Sequence, residues 1–166
     1  MKINELVFIR DKQDLIISLS KVRNKQKTMF VCLTFEAFLE AKMNFLNYTY
    51  PFNIKRIHNY DFLYLGKKRA RLFISNNLKD FSKDDMNYII SRFIIFFSQI
   101  IFDKTLIINL IKLYNPKKVL IFDEKIQSIT NKGWNINRSF FYYQLIIKKF
   151  FPKIKINVYK IKNYHY

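Results

Sequence analysis

Two kinds of apolar spacing alternate along this chain. Leu6-Val7-Phe8-Ile9 is a compact β-branched and aromatic run, apolar on both faces, as in a buried parallel strand. Asp11 follows as a capping carboxylate, and Leu15, Ile16, Leu19 and Val22 then recur at helical spacing. Lys21, Arg23, Lys25 and Lys27 come at the end of that pattern, where cations suit the helix dipole. Met29 to Leu33 repeats the strand signal, and Thr34 is placed to cap a second helix with Phe38, Ala41 and Phe45 on its inner face. Strand, helix, strand, helix with tight turns is the signature of a doubly wound sheet.

The middle of the chain is less regular. Phe52 to Ile57 reads as a short third strand, Tyr60 to Leu65 as a loop with apolar anchors, and Lys67 to Asn77 as a basic helix. Ser82 and Asp84 offer starts for a long apolar helix over Met86 to Tyr114, greasy on more than one face and therefore expected between layers or against a partner. Asn115-Pro116 ends it. Lys118 to Phe122 is the clearest strand, and a polar loop runs from Asp123 to Asn137. Phe140 to Phe151 forms an aromatic-rich helix stopped by Pro152. Ile154, Ile156 and Val158 alternate with polar residues, as in a final strand near an edge. The fold class predicted is α/β: a three-layer Rossmann-like domain, residues 1–166, with a mostly parallel sheet of about five strands and helices on both faces.

Composition adds a charge. Of 166 residues, 30 are Lys or Arg and 12 are Asp or Glu, a formal net charge of +18. Lys supplies 23 of the 30, alongside abundant Phe, Tyr, Ile and Asn, which is the mark of AT-rich codon usage. Codon usage does not account for the distribution: no acid follows Glu124, so the last 42 residues carry +9. Such a surface attracts polyanions and anionic bilayers. Lys67, Lys68, Arg69 and Arg71 form one basic cluster. Lys148, Lys149, Lys153 and Lys155 lead a second, interleaved with tail aromatics. No secretory signal is visible, and Ile89 to Phe102, broken by Arg92, Ser98 and Gln99, falls short of the ~20 residues a bilayer span needs. The expected location is cytoplasmic, peripheral on the inner face of the cell membrane.

Most catalytic signatures are missing. Gly66-Lys67 resembles the end of a phosphate-binding loop, but Asp61 stands where the earlier glycine is required. Arg10-Asp11-Lys12 has none of the glycines of a dinucleotide fingerprint, so no cofactor is predicted. His58 and His165 lack paired ligands at helical spacing, and no metal site is predicted. Cys32, mid-strand among apolar neighbours, reads as a buried inert thiol. An open α/β sheet binds ligands at the carboxyl ends of its strands, and that geometry nominates residues without a motif. They are Arg10 and Asp11 after the first strand, Thr34 and Glu36 after the second, and Trp134, Asn135 and Arg138 beyond the Val119 strand, all as substrate-binding candidates. Asp123 and Glu124 are the candidates for a general base acting on a hydroxyl. The bland roles for these residues are N-capping by Asp11 and Thr34, and solvation of Asp123 and Glu124 in a loop.

The order of elements resembles the N-terminal Rossmann-like half of a GT-B glycosyltransferase of the bacterial surface-polysaccharide kind. The matching stretches are Leu6 to Leu19, Thr28 to Phe45, Phe52 to Leu63, and the helix-to-strand join Leu113 to Ile121. The resemblance implies an acceptor-side domain, not catalytically complete alone, whose donor-binding partner is a missing C-terminal domain or second subunit. It also implies a lipid-linked acceptor at an anionic membrane, with Asp123 or Glu124 activating the acceptor hydroxyl. Two other readings stand beside it: a basic nucleic-acid-binding protein, and a non-catalytic domain whose apolar helix docks on a partner.

Overall fold

The apolar runs at Leu6, Met29 and Val119 become the three inner strands of a five-stranded, all-parallel sheet of order β3-β2-β1-β4-β5. The computed structural model describes residues 2–51, 61–77, 83–124 and 141–161. The strands are β1 (Glu5–Ile9), β2 (Thr28–Cys32), β3 (Tyr48–Thr49), β4 (Lys118–Glu124) and β5 (Lys155–Ile161). The helices are α1 (Lys12–Lys21), α2 (Phe35–Met43), α3 (Phe62–Asn77), α4 (Lys83–Tyr114) and α5 (Phe141–Phe150). The expected α/β class with a parallel five-stranded sheet is therefore found. The chain divides into two compact units, Met1–Ile54 with Ile107–Tyr166, and Lys55–Leu106.

The first unit is the sheet with α1, α2, the last turns of α4, and α5. β1 aligns Leu6 with Met29 of β2 and with Val119 of β4, and all of Leu6 to Ile9 is buried without remainder. Right-handed crossovers leading outward from β1 in opposite directions put α1 and α2 on one face and α5 on the other. Tyr143 of α5 sets its ring edge against Phe8 at 5.1 Å between centroids. Asn115, at φ 44°, leaves α4 through the left-handed region that Asn tolerates, with its N–H donating back to the Ile111 carbonyl at 2.8 Å, and Pro116 follows. At the foot of the sheet, the buried Glu5 carboxylate meets Lys118 Nζ at 2.8 Å, pinning β1 to β4. The two edges differ: β3 is only two residues long, whereas β5 runs for seven with Lys155 exposed at its start.

Several local expectations change. The described third strand is Tyr48–Thr49, ahead of the Phe52 to Ile57 run, which lies outside the described residues. Ile16 is 58% exposed, because α1 turns Asp14, Leu15 and Ser18 inward instead. Phe45 lies beyond α2, at φ 52° and 96% exposed, and Ala37 with Ala41 form the buried stripe that lets α2 approach closely. Phe38 is half-buried and meets the Tyr48 ring edge-on at 5.3 Å.

The second unit is a helical hairpin of α3 and the first part of α4. α3 begins at Phe62 rather than Lys67, because Asp61 accepts the Tyr64 N–H at 2.8 Å and so starts the helix a turn earlier than its basic residues suggest. Gly66, Ala70 and Ile74 form its buried stripe. A methyl group on Gly66 would come within 2.0 Å of Ser98 Oγ and 2.7 Å of the Ile94 carbonyl oxygen, so this glycine lets two helices touch and cradles no phosphate. Phe73 packs on Phe93 at 4.8 Å, and Phe62 on Phe102 at 5.3 Å. The apolar stretch Asn87–Tyr114 is longer than the Ile89 to Phe102 run and, by length and composition alone, sufficient to cross a membrane. Its last turns belong to the sheet unit, with Ile107, Leu110 and Ile111 buried, whereas the part before Leu106 has no buried residue among those described.

Candidate functional site

Doubly wound sheets hold ligands where the winding reverses, at the carboxyl ends of the two strands that start opposite crossovers. Here that point lies between β1 and β4. β1 stays paired with β2 as far as Ile9–Cys32, but its described pairing with β4 ends at Val7–Leu120 while β4 continues to Glu124. Above that level the carboxyl ends of the two strands lead into the Arg10-Asp11 turn on one side and, on the other, to the backbone of Asp123 and Glu124 at the end of β4.

The turn after β1 is tightly organised. Arg10 and Asp14 form a forked, buried ion pair: Nε donates to Oδ2 at 2.8 Å and Nη2 to Oδ1 at 3.1 Å, while the Arg10 backbone N–H also donates to Oδ2 at 3.0 Å. Asp11 caps α1 by accepting the Asp14 N–H at 2.8 Å. The Thr34 hydroxyl donates to the Arg10 carbonyl and accepts the Ala37 N–H at 3.1 Å, so one side chain caps α2 and ties the turn after β2 to the turn after β1. Lys12 Nζ reaches Glu40 at 3.3 Å, joining α1 to α2 at the surface. Burial is the main cause that pushes the Asp14 carboxyl above its ordinary value; Arg10 opposes the shift through hydrogen bonds and charge, and Asp11 adds to it.

Arg10, Asp11 and Thr34 are thus brought together, yet each is engaged by the fold. The Arg10 guanidinium is held by Asp14 at 2.8 and 3.1 Å. Glu36 lies exposed in the first turn of α2. Asp123 and Glu124 stand at the end of β4, in backbone register with Lys160 and Ile161 of β5. Trp134, Asn135 and Arg138 lie outside the described residues, as do His58 and His165. Cys32 is buried, and desolvation pushes its thiol up to about 12, which suits the inert role. Among the described residues no three His, Cys, Asp or Glu side chains gather as metal ligands would.

The basic clusters separate between the units. Lys148 and Lys149 close α5, where the dipole favours cations, and Lys153 and Lys155 lead into β5. Lys67, Lys68, Arg69 and Arg71 are exposed on α3 of the hairpin. Asp14 is the residue the sequence reading overlooked. Its signal was the Arg10-to-Asp14 spacing of four across a helix start, which places a carboxylate one turn above a cation. Comparison with protein-family models, curated proteins and solved structures gives no match, so fold and residues carry the functional reading.

Proposed function

We propose that this chain is the acceptor-side Rossmann-like domain of a glycosyltransferase, working with a separate donor-binding domain or subunit on surface-polysaccharide precursors. The observation that supports the reading is the winding reversal between β1 and β4, where the rigid Arg10–Asp14 turn follows β1 and the sequence puts Asp123 and Glu124 at the carboxyl end of β4. In this reading an acceptor hydroxyl binds at the carboxyl ends of β1 and β4, and Asp123 or Glu124 takes its proton as the oxygen attacks the anomeric carbon of a sugar nucleotide, whose bond to the nucleoside diphosphate breaks and releases that group on the donor-binding half. The Arg10–Asp14 fork and the Thr34 tie keep the turn after β1 from moving as the acceptor binds.

An NMR titration tests the assignment. A short-chain polyprenyl-diphosphate saccharide should shift the Arg10, Thr34 and Asp123 amide signals, whereas nucleotide diphosphate sugars should leave them in place. Tight binding of the nucleotide sugar with no response to the acceptor mimic would overturn it. In an enzyme reconstituted with its donor-binding half, Asp123→Asn with Glu124→Gln should cut transfer by about 100-fold or more. Unchanged turnover removes both carboxylates from the reaction.

A further inference from the structure

The hairpin unit carries apolar surface that its own residues leave uncovered. From residue 87 to residue 105, α4 contains no fully buried side chain, although Ile89, Ile90, Phe93, Ile94, Phe96 and Phe97 lie there. Tyr88 and Ile95 are exposed outright. On α3 the buried Gly66, Ala70 and Ile74 occupy one stripe, and Tyr64, Lys67, Lys68, Arg71 and Leu72 recur at helical spacing on a different face, where they line one shallow concavity. Tyr64 is 62% exposed and Leu72 49%. Among the described residues, none of Lys67, Lys68, Arg69 and Arg71 meets a carboxylate.

Cations flanked by exposed Tyr and Leu on one helix face call for an occupant that offers both phosphate and hydrocarbon. We propose that the α3–α4 hairpin docks in the plane of an anionic lipid surface. Its basic ridge lies on headgroup phosphates, Tyr64 sits at headgroup level, and Leu72 reaches the acyl boundary. A nucleic acid would satisfy the cations and the tyrosine but has nothing to cover Leu72 on the same face. The docking does not depend on sugar transfer being the chemistry.

The experiment is flotation of the full chain with phosphatidylglycerol-containing vesicles against pure phosphatidylcholine vesicles at physiological salt. Binding should require the anionic lipid, and combined Lys67→Gln, Lys68→Gln, Arg69→Gln and Arg71→Gln should weaken it on the order of 100-fold. Combined Lys148→Gln, Lys149→Gln, Lys153→Gln and Lys155→Gln removes the same charge from the sheet unit and should cost only a few-fold. An equal loss in both variants would mean that net charge alone drives binding, and would overturn the site. Independently of those variants, Tyr64→Trp in a Trp134→Phe background should show a blue-shifted emission quenched by brominated lipid. Vesicle binding without that quenching overturns the proposal, as do binding to single-stranded RNA in preference to vesicles and carbonate-resistant, bilayer-spanning insertion.

Discussion

The two units use apolar side chains in opposite ways. In the sheet unit, each residue from Leu6 to Ile9 is sealed between neighbouring strands and covering helices. In the hairpin, a longer run of Ile and Phe in α4 reaches no more than partial burial before Leu106. The same residue types therefore do different jobs: in β1 they hold the fold together, and in the hairpin they form a surface. Two helices joined mainly at Gly66 and a ladder of phenylalanine rings cannot enclose a third layer, so the outer faces of their apolar stripes stay accessible.

Paired truncations should make that contrast measurable. Phe8→Ala opens a cavity in the sheet core and should lower unfolding free energy by about 3–5 kcal/mol in a denaturant titration. Ile95→Ala removes a side chain already 64% exposed and should stay within about 0.5 kcal/mol of the parent. Comparable losses would erase the distinction between the units.

Arg10→Met tests whether the sheet unit tolerates a lone buried charge. At neutral pH it should cost about 3–5 kcal/mol, because Asp14 stays buried without its cation. The pH dependence has a defined sign. Asp14 is held above its ordinary 3.8 in the fold, so the folded state binds that proton more strongly. Stability from this group is greatest below 3.8 and is lost as pH rises through the raised folded value. Removing Arg10 raises that value further, so the deficit of the variant should shrink when the titration is repeated in mild acid. A deficit independent of pH would show that Asp14 is not its source.

Gly66→Ala probes a tight contact between the two helices of the hairpin. The new methyl group collides with Ser98 Oγ and with the Ile94 carbonyl, for a loss of about 1–3 kcal/mol. Adding Ser98→Gly should recover only part of it, since the carbonyl remains; full recovery would place the whole clash on the hydroxyl. The smallest effect concerns Cys32. Its thiol should resist alkylation in the folded chain and react once the sheet is unfolded. Because the unfolded chain releases that proton near pH 9.0 and the fold only near 12, stability should fall as pH rises between those values. Rapid labelling of the native protein would place Cys32 outside the core.

Sequence alone was enough for the inner sheet, because a buried parallel strand must be apolar on both faces and few other elements produce Leu-Val-Phe-Ile bounded by polar turns. It was not enough for β3. Tyr48–Thr49 is held by two ladder positions beside β2, too short to impose a pattern, while Phe52 to Ile57 carries the stronger apolar run. Phe45 looked like a core residue by spacing, but the helix ended two residues before it. The site was half legible. Capping chemistry marked Asp11 and Thr34, whereas the forked Arg10–Asp14 pair arises from a turn that folds a cation back over its own helix, and apolar periodicity carries no trace of it. Gly66 owes its place to a neighbouring helix 32 residues away, and local reading had no access to that contact.

The unequal edges of the sheet bear on how the protein behaves in concentrated solution. A two-residue strand offers almost no template to an incoming chain, so β3 is protected by brevity. β5 is paired with β4 along all seven residues, has no strand on its outer side among the described residues, and relies on the charge of Lys153 and Lys155 at its entrance to repel another copy. That protection weakens wherever the lysines are screened or acylated. Self-association of this protein would then start at the β5 edge, and with β3 protected it would pair two copies edge to edge and stop there.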